Sequence, residues 1–130
     1  MIDESLKSLA SQGANFGVLT TLMPDGSFQS QVIWVDADDD HVLINTEIDR
    51  QKHRNVQREP RVTITVIDSA NPYHYIEARG RVVGEVTGEV ARKHIDDLSI
   101  RYTKQPYDPA AIGTERVILQ ILPEKLHRNG

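Results

Sequence analysis

The run Tyr73–Val86 has strand-like composition but is too long for an ordinary straight strand, and Gly80 and Gly84 interrupt it. Glycine inside a strand marks a bulge or a sharp bend, as at the corners of barrels. A sheet built around such a strand has to curl. The other extended runs are shorter. Phe16–Leu22 and Phe28–Val35 flank Pro24–Asp25–Gly26–Ser27, a turn with glycine placed for positive φ, and so predict a hairpin. On the second of these strands Phe28, Ser30, Val32 and Trp34 share one face, and Gln29, Gln31, Ile33 and Val35 the other. An acidic turn, Asp36–Asp40, leads to a strand over His41–Thr46. Arg61–Ile67 alternates, with Val62, Ile64 and Val66 facing one way, and Asp68–Pro72 is a loop of turn formers. Arg116–Leu122 is the last strand, followed by a basic tail, Pro123–Gly130.

Helical patterns are few. Asp3–Gln12 is amphipathic through Leu6 and Leu9 and ends at Gly13. Glu89–Tyr102 turns Val90, His94, Ile95 and Leu98 inward, and Thr103–Thr114 is irregular, with Pro106 and Pro109. Strands in this order do not build βαβ units. They predict a mainly β (α+β) fold, a six-stranded antiparallel barrel with short peripheral helices, as one domain over residues 1–130.

Between the third and fourth strands lies Thr46–Val56, with a polar helix of about two turns that ends before Pro60. Asp49 is its expected N-cap. Arg50, Lys52 and Arg54 crowd its first turns, where the helix dipole already presents positive potential. An anion at that N-terminus reverses the penalty, because free N–H groups and basic side chains converge on it. At about 100° per residue, Lys52 and Asn55 share a side with Val56, the only aliphatic residue of the helix. That side is expected to dock, with Arg50, His53, Arg54 and Gln57 on the other. The plain alternative is a solvated basic face.

Charge favours the ligand. The chain has a formal net charge of −4, but the window Arg50–Arg61 carries +4, leaving −8 elsewhere. A basic island on an acidic protein suits a small anion rather than nucleic acid, which needs a broad basic surface. There is no cysteine, no signal peptide and no apolar run long enough to span a bilayer, so no membrane partner and a cytoplasmic location are expected. The five histidines show no ligand spacing, so no metal is expected, and Asp38–Asp40 read as a solvated turn. Trp34 reads as a core or interface aromatic, and Tyr102 and Tyr107 as loop packing.

Phe16–Thr21 with Pro24–Asp25–Gly26, then Arg50–Val56 with Arg58–Val62, resembles the first hairpin, phosphate-binding helix and next strand of the pyridoxamine-phosphate-oxidase-like, or flavin-reductase-like, split barrels. Asn71–Pro72–Tyr73 through Glu77–Gly80 resembles one branch of that family, the deazaflavin-dependent oxidoreductases that use coenzyme F420. The resemblance runs from about Asn15 to Val86, with a weaker echo in Arg116–Pro123. It implies a homodimer of split barrels with cofactor sites at the interface. It places Lys52 and Asn55 on cofactor phosphate with Arg50 and Arg54 nearby, and Thr46 within reach of the cofactor. Ser30, Gln31, Val32 and Ile33 border the ring, and Pro72, Tyr73 and His74 come from a neighbouring strand region, of the same chain or its partner. The implied activity is hydride transfer from reduced F420 to an electron-poor small organic substrate. The alternatives are an FMN-dependent oxidoreductase and a non-catalytic flavin or tetrapyrrole carrier. Longer members end in an Arg–Leu–Ala–Pro-like segment that helps bind substrate phosphate. Here Lys125–Gly130 stands in its place, which argues against vitamin B6 oxidation.

Overall fold

The computed structural model describes residues 1–130. Helix α1 (Glu4–Ser11) is followed by strands β1 (Phe16–Leu22), β2 (Phe28–Trp34), β3 (Asp36–Ala37) and β4 (Val42–Glu47). Then come α2 (Gln51–Arg58), β5 (Arg61–Ile67), β6 (Tyr75–Val86), α3 (Gly88–Thr103), a 3₁₀ turn at Pro109–Ala111, and β7 (Arg116–Asn129). All strands form one antiparallel sheet in the order β2-β1-β5-β6-β7-β4-β3. No helix is long and apolar enough to cross a membrane.

The two edges of this sheet, β2 and β3, are neighbours in sequence, separated only by Val35. A chain that leaves one edge and enters the other without a connecting loop forces the sheet to curl until its edges meet. The result is a barrel split along one seam. Inside it lie Leu19, Val35, Val42, Ile44, Ile64, Val66, Ile76, Val117, Leu119 and Ile121, all almost wholly buried. Leu6 and Leu9 of α1 join this core, with Asp3 capping the helix by accepting from the Leu6 amide at 3.0 Å.

The long strand behaves as its glycines require. The β6–β7 register shifts at Arg79/Gly80 and again at Val82/Gly84. The hairpin turn takes φ +87° at Gly26, as its residues imply.

Several expectations need correction. There are seven strands, not six, because Asp36 and Ala37 leave the acidic turn to pair with Leu43 and Val42. The turn shortens to Asp38–His41, where the Asp38 carboxylate accepts from the Asp40 and His41 amides at 2.8 and 2.7 Å. The basic tail is strand: β7 runs on to Asn129, and Leu126, opposite Ala78, packs on the core. The first half of β6 would otherwise have no partner on that side. Tyr73 and His74 belong to the turn before β6, and on α3 Ala91, Ile95, Leu98 and Ser99 are the buried residues while Val90 is exposed.

A Cβ built on Gly80 would fall into the Leu122 carbonyl oxygen and approach Pro123 Cα at 3.1 Å. Both obstacles are backbone and cannot rotate aside. Gly80→Ala should therefore destabilise the protein by roughly 2 kcal/mol or more, while Gly26→Asn, at an open positive-φ position, should cost under about 1 kcal/mol. Urea unfolding of the two variants checks this, and equal losses would remove the close approach as the cause.

Candidate functional site

The seam opens into a cleft of about 430 Å³. Gln31–Trp34 of β2 form one wall, and Asn45 and Thr46 of β4 the other. Arg50 and Lys52 enter from the start of α2, Arg116 from the start of β7, and Phe16, Ile95, Leu98 and Tyr107 close the apolar side. The aromatic residues hold one another: Trp34 stacks on Tyr102 at 5.3 Å, and Tyr107 meets the edge of Trp34 at 6.3 Å.

Charge at the polar end is organised by Glu47. Its carboxylate is nearly buried and accepts from the Gly113 and Thr114 amides at 2.6 and 2.8 Å and from the Arg50 guanidinium at 2.6 Å. Arg116 stands further off, at 3.7 Å. Burial pushes the Glu47 pKa up, but the Thr114 amide, Arg50 and the Gly113 amide outweigh it and bring it down to about 2. Arg116 donates from Nε to Asn45 Oδ1 at 2.8 Å and lies over the Tyr107 ring at 5.2 Å.

Lys52 is different. It is 8% exposed, and its ammonium has neither a hydrogen-bond nor an ion-pair partner in the chain. Burial lowers its pKa, and Arg50 and Arg116 lower it further. The helix it belongs to is also uncapped. Arg50, not Asp49, occupies the N-cap position and makes no side-chain cap bond. The Gln51, Lys52 and His53 amides have no backbone acceptor. Asp49 fails as cap because it sits at φ +73°, its own amide donating to His53 Nδ1 at 3.1 Å. Three cations and one carboxylate leave this end of the cleft at +2. An anion there would satisfy the free lysine, the free amides and the dipole together.

The structure sorts the expected residues. Gln31, Val32, Ile33, Thr46, Arg50 and Lys52 line the cleft. Asn55 is wholly buried on the far side of α2, in hydrogen bond with the Thr21 hydroxyl at 3.0 Å, and so fixes the helix against β1. Arg54 turns back to the Asp49 carbonyl and the Gln51 side chain, and Ser30 pairs with Thr20 on the outer face. Pro72, Tyr73 and His74 lie in a separate turn, held by His74 on Asp68 at 3.0 Å. His53, expected on the solvent side, is buried, with Nε2 3.0 Å from Glu85 Oε1; it lies only about 60° around the helix from Val56. Trp34 and Tyr107 wall the cleft rather than merely packing a core or loop.

Glu47, Asn45 and Arg116 are further site residues. Asn45 ends the apolar run Val42–Leu43–Ile44, and Arg116 precedes the apolar run Val117–Ile118–Leu119; those polar positions at the ends of apolar runs were the available signal, but only the pairing of Glu47 opposite Arg116 shows that they meet.

A second groove, of about 380 Å³, crosses β1, β5 and β6 beside Phe28. Its Arg61 and Arg79 are already paired with Glu59 and Glu77 at 2.7 and 3.0 Å, so it has no buried, unpartnered cation.

A sheet curled into a barrel and split at one seam, with short helices at its edge, defines the small split-barrel proteins. The family model for pyridoxamine 5'-phosphate oxidase matches residues 2–128, and the chain belongs to that family. A solved F420 reductase is 32% identical over 97% of this chain and 98% of its own, with a TM-score of 0.81, and marks the branch. A conserved hypothetical protein of Mycobacterium tuberculosis (21% identity, 99% and 85% coverage, TM-score 0.72) shares the fold. So does General Stress Protein 26 of Bacillus anthracis (19% identity, 96% and 92% coverage, TM-score 0.69). No curated protein matches the sequence.

The depressed pKa of Glu47 has a consequence for stability. A carboxylate whose folded pKa lies below its ordinary 4.5 contributes stability above that value and loses it as pH falls to about 2. Glu47→Gln keeps an acceptor for the Gly113 and Thr114 amides but strands two arginines. It should lower stability at pH 7 by roughly 2–3 kcal/mol, with the gap to wild type closing between about pH 5 and pH 2. Urea denaturation across that range checks the sign, and a gap that widened in acid would contradict it.

Proposed function

We propose that the chain is an F420-dependent oxidoreductase, reducing an electron-poor small organic substrate. The observation that carries the reading is Lys52: its stem is largely buried, its ammonium opens into the cleft with no partner in the chain, and it is set between Arg50 and Arg116 at an uncapped helix N-terminus. A resident anion is the simplest compensation for that arrangement. The residues fit a deazaflavin coenzyme. Lys52, Arg50 and Arg116 would hold its phosphate, the remaining positive potential would suit its carboxylate tail, and Trp34, Val32 and Ile33 would border its planar ring. When bound and reduced, the deazaflavin supplies the hydride. The chain's own residues bind, orient and exclude water: Tyr107, Ile95 and Leu98 keep the apolar end dry, and Glu47 holds both the arginines and the Gly113–Thr114 segment in place.

Beside the cleft the edge strand β2 exposes Phe28 (74%) and Val32 (70%), an edge that isolated proteins avoid leaving bare. We read this face as the interface of a C2 homodimer, with Tyr73, 77% exposed, reaching the partner's cleft together with Pro72 and His74. Light scattering that gave a monomer mass with cofactor bound would overturn the dimer.

Lys52 also sets opposite signs for binding and stability. A lysine with depressed folded pKa costs stability wherever it is charged, and the cost fades only as pH rises toward its ordinary 10.5. Lys52→Met should therefore weaken coenzyme F420 binding by about tenfold to a hundredfold, yet raise the stability of the cofactor-free protein by about 1 kcal/mol. Arg58→Ala, at the far end of α2, should change binding little. Fluorescence titration and urea unfolding measure both effects, and undiminished binding by Lys52→Met would end the site assignment.

The same titration discriminates cofactors. F420 should bind at least about tenfold more tightly than FMN, because its tail adds negative charge where the cleft carries +2. FMN binding as tightly or more so would make the protein an FMN enzyme of the same fold.

A further inference from the structure

Behind the cleft, a chain of hydrogen bonds runs from the cleft wall along the outer face of β4 to α3. Arg116 Nε donates to Asn45 Oδ1 at 2.8 Å. The Asn45 amide nitrogen donates twice, to the Ala91 carbonyl at 3.0 Å and to His94 Nδ1 at 3.0 Å. On its other side His94 Nε2 donates to Asp36 Oδ2 at 2.9 Å. The partners define the tautomer: a carboxylate only accepts and an amide nitrogen only donates, so His94 is neutral with its proton on Nε2. Neither His94 nor Asp36 touches the cleft, and the site as described makes no use of either.

The amide of Asn45 cannot turn over. Reversed, its oxygen would face the Ala91 carbonyl and its NH₂ would face the Arg116 Nε–H. The NH₂ held in this way also faces His94 Nδ1, and Asn45 cannot offer its oxygen there instead. A second proton on the imidazole places a donor at Nδ1 against the donor of Asn45, and one of the two bonds has to give. If Asn45 moves, Arg116 loses the acceptor that keeps it 3.7 Å from Glu47, whereas Arg50 sits at 2.6 Å. The freed guanidinium then closes on Glu47, and its charge is neutralised there instead of facing a ligand.

We propose that neutral His94 is a positioning residue for Arg116: through Asn45 it keeps the guanidinium directed into the cleft, so anion affinity falls when the imidazole takes up a second proton. The proposal rests on the reading of Arg116 as one of the anion's three cations. It adds a pH-dependent control that the residues around the anion do not reveal.

Charged groups surround His94 on each side. Asp36 on β3 faces Nε2, and Arg101 of α3 lies 3.2 Å from the same carboxylate. Burial raises the Asp36 pKa, but His94, the Ala37 amide and Arg101 more than offset it, so the carboxylate stays ionised. Lys93 and Asp97 of α3 line the outer groove with His94 and neutralise each other at 2.9 Å, and Asp38, in the same groove, is held by His41 at 3.3 Å. On the side opposite Asp36, the Asn45 NH₂ faces Nδ1 at 3.0 Å, so a proton added there meets a donor.

The test uses the cofactor-free full chain, labelled with ¹⁵N, and sulfate as the probe because its charge is constant between about pH 5 and 8. Without anion, the Arg116 Nε–H signal should shift with the same midpoint as the His94 ring. Sulfate affinity should drop about tenfold from pH 8 to pH 5. His94→Asn keeps an acceptor where Nδ1 was and cannot titrate. It should hold near-wild-type affinity at pH 8 and lose most of the pH dependence, while His94→Leu should bind at pH 8 as weakly as wild type does at pH 5. An Arg116 signal blind to the His94 titration, or a His94→Asn variant with the full wild-type pH dependence, overturns the proposal. Sulfate binding that Lys52→Met does not weaken overturns the anion-site reading instead, and the Arg116 signal still reports on the relay by itself.

Discussion

Everything in this protein hangs on the crossing from β2 to β3 at Trp34–Val35–Asp36. One peptide step inside a continuous chain takes it from one edge of the sheet to the other, and only a curled sheet allows that. Helix α3 clamps the crossing. Arg101 donates to the Val35 and Ser11 carbonyls and to Asp36, the last two at 2.7 and 3.2 Å, and so also satisfies the open end of α1. Tyr102 donates to the Asn15 carbonyl and receives the Val35 amide at 3.1 Å, with its ring on Trp34. The seam of the barrel, the indole wall of the cleft and the position of α3 are thus one arrangement. Loosening the clamp would open the seam and the ligand site together.

The cleft stores an imbalance that the fold holds in place. Three cations converge on one carboxylate, and the carboxylate serves two of them while anchoring the Gly113–Thr114 amides. Lys52 is left without a counter-charge. Such a site destabilises the empty protein and gains when an anion arrives, which is the usual exchange between stability and function at a binding centre. The buried neighbours of α2 hold its start in this unfavourable state: Asn55 on Thr21, and His53 between the Asp49 amide and Glu85.

The cleft wall and the groups behind Arg116 share one residue, Asn45. Residues that line the cleft come from β1, β2, β4, α2, α3 and β7, whereas Asp36 of β3 and His94 of α3 stand behind Asn45, away from the cleft. Histidine suits such a relay because its two nitrogens are distinct: one accepts and one donates, and a single added proton removes the difference.

Much of this was legible in the residues. Alternation and turn chemistry gave the β1–β2 hairpin, β5 and the bends at Gly80 and Gly84, because these are local properties of the backbone. The basic helix and its cleft-facing Lys52 followed from charge near a helix start, again local. The seventh strand and the strand character of the last residues were not legible. Asp36–Ala37 and Pro123–Asn129 have no strand pattern of their own and are extended because a partner strand is there to take their hydrogen bonds. Asp49 has a good capping side chain, yet a buried histidine four residues on draws its amide into a left-handed turn. Asn45, Glu47 and Arg116 are distant in sequence or unremarkable within it. Strand register set Glu47 opposite Arg116, and the packing of α3 on β4 and β7 brought His94 to Asn45. Periodicity assigns each residue a face, but which residues meet across faces depends on how far the sheet curls, and that was decided only when the whole chain closed on itself.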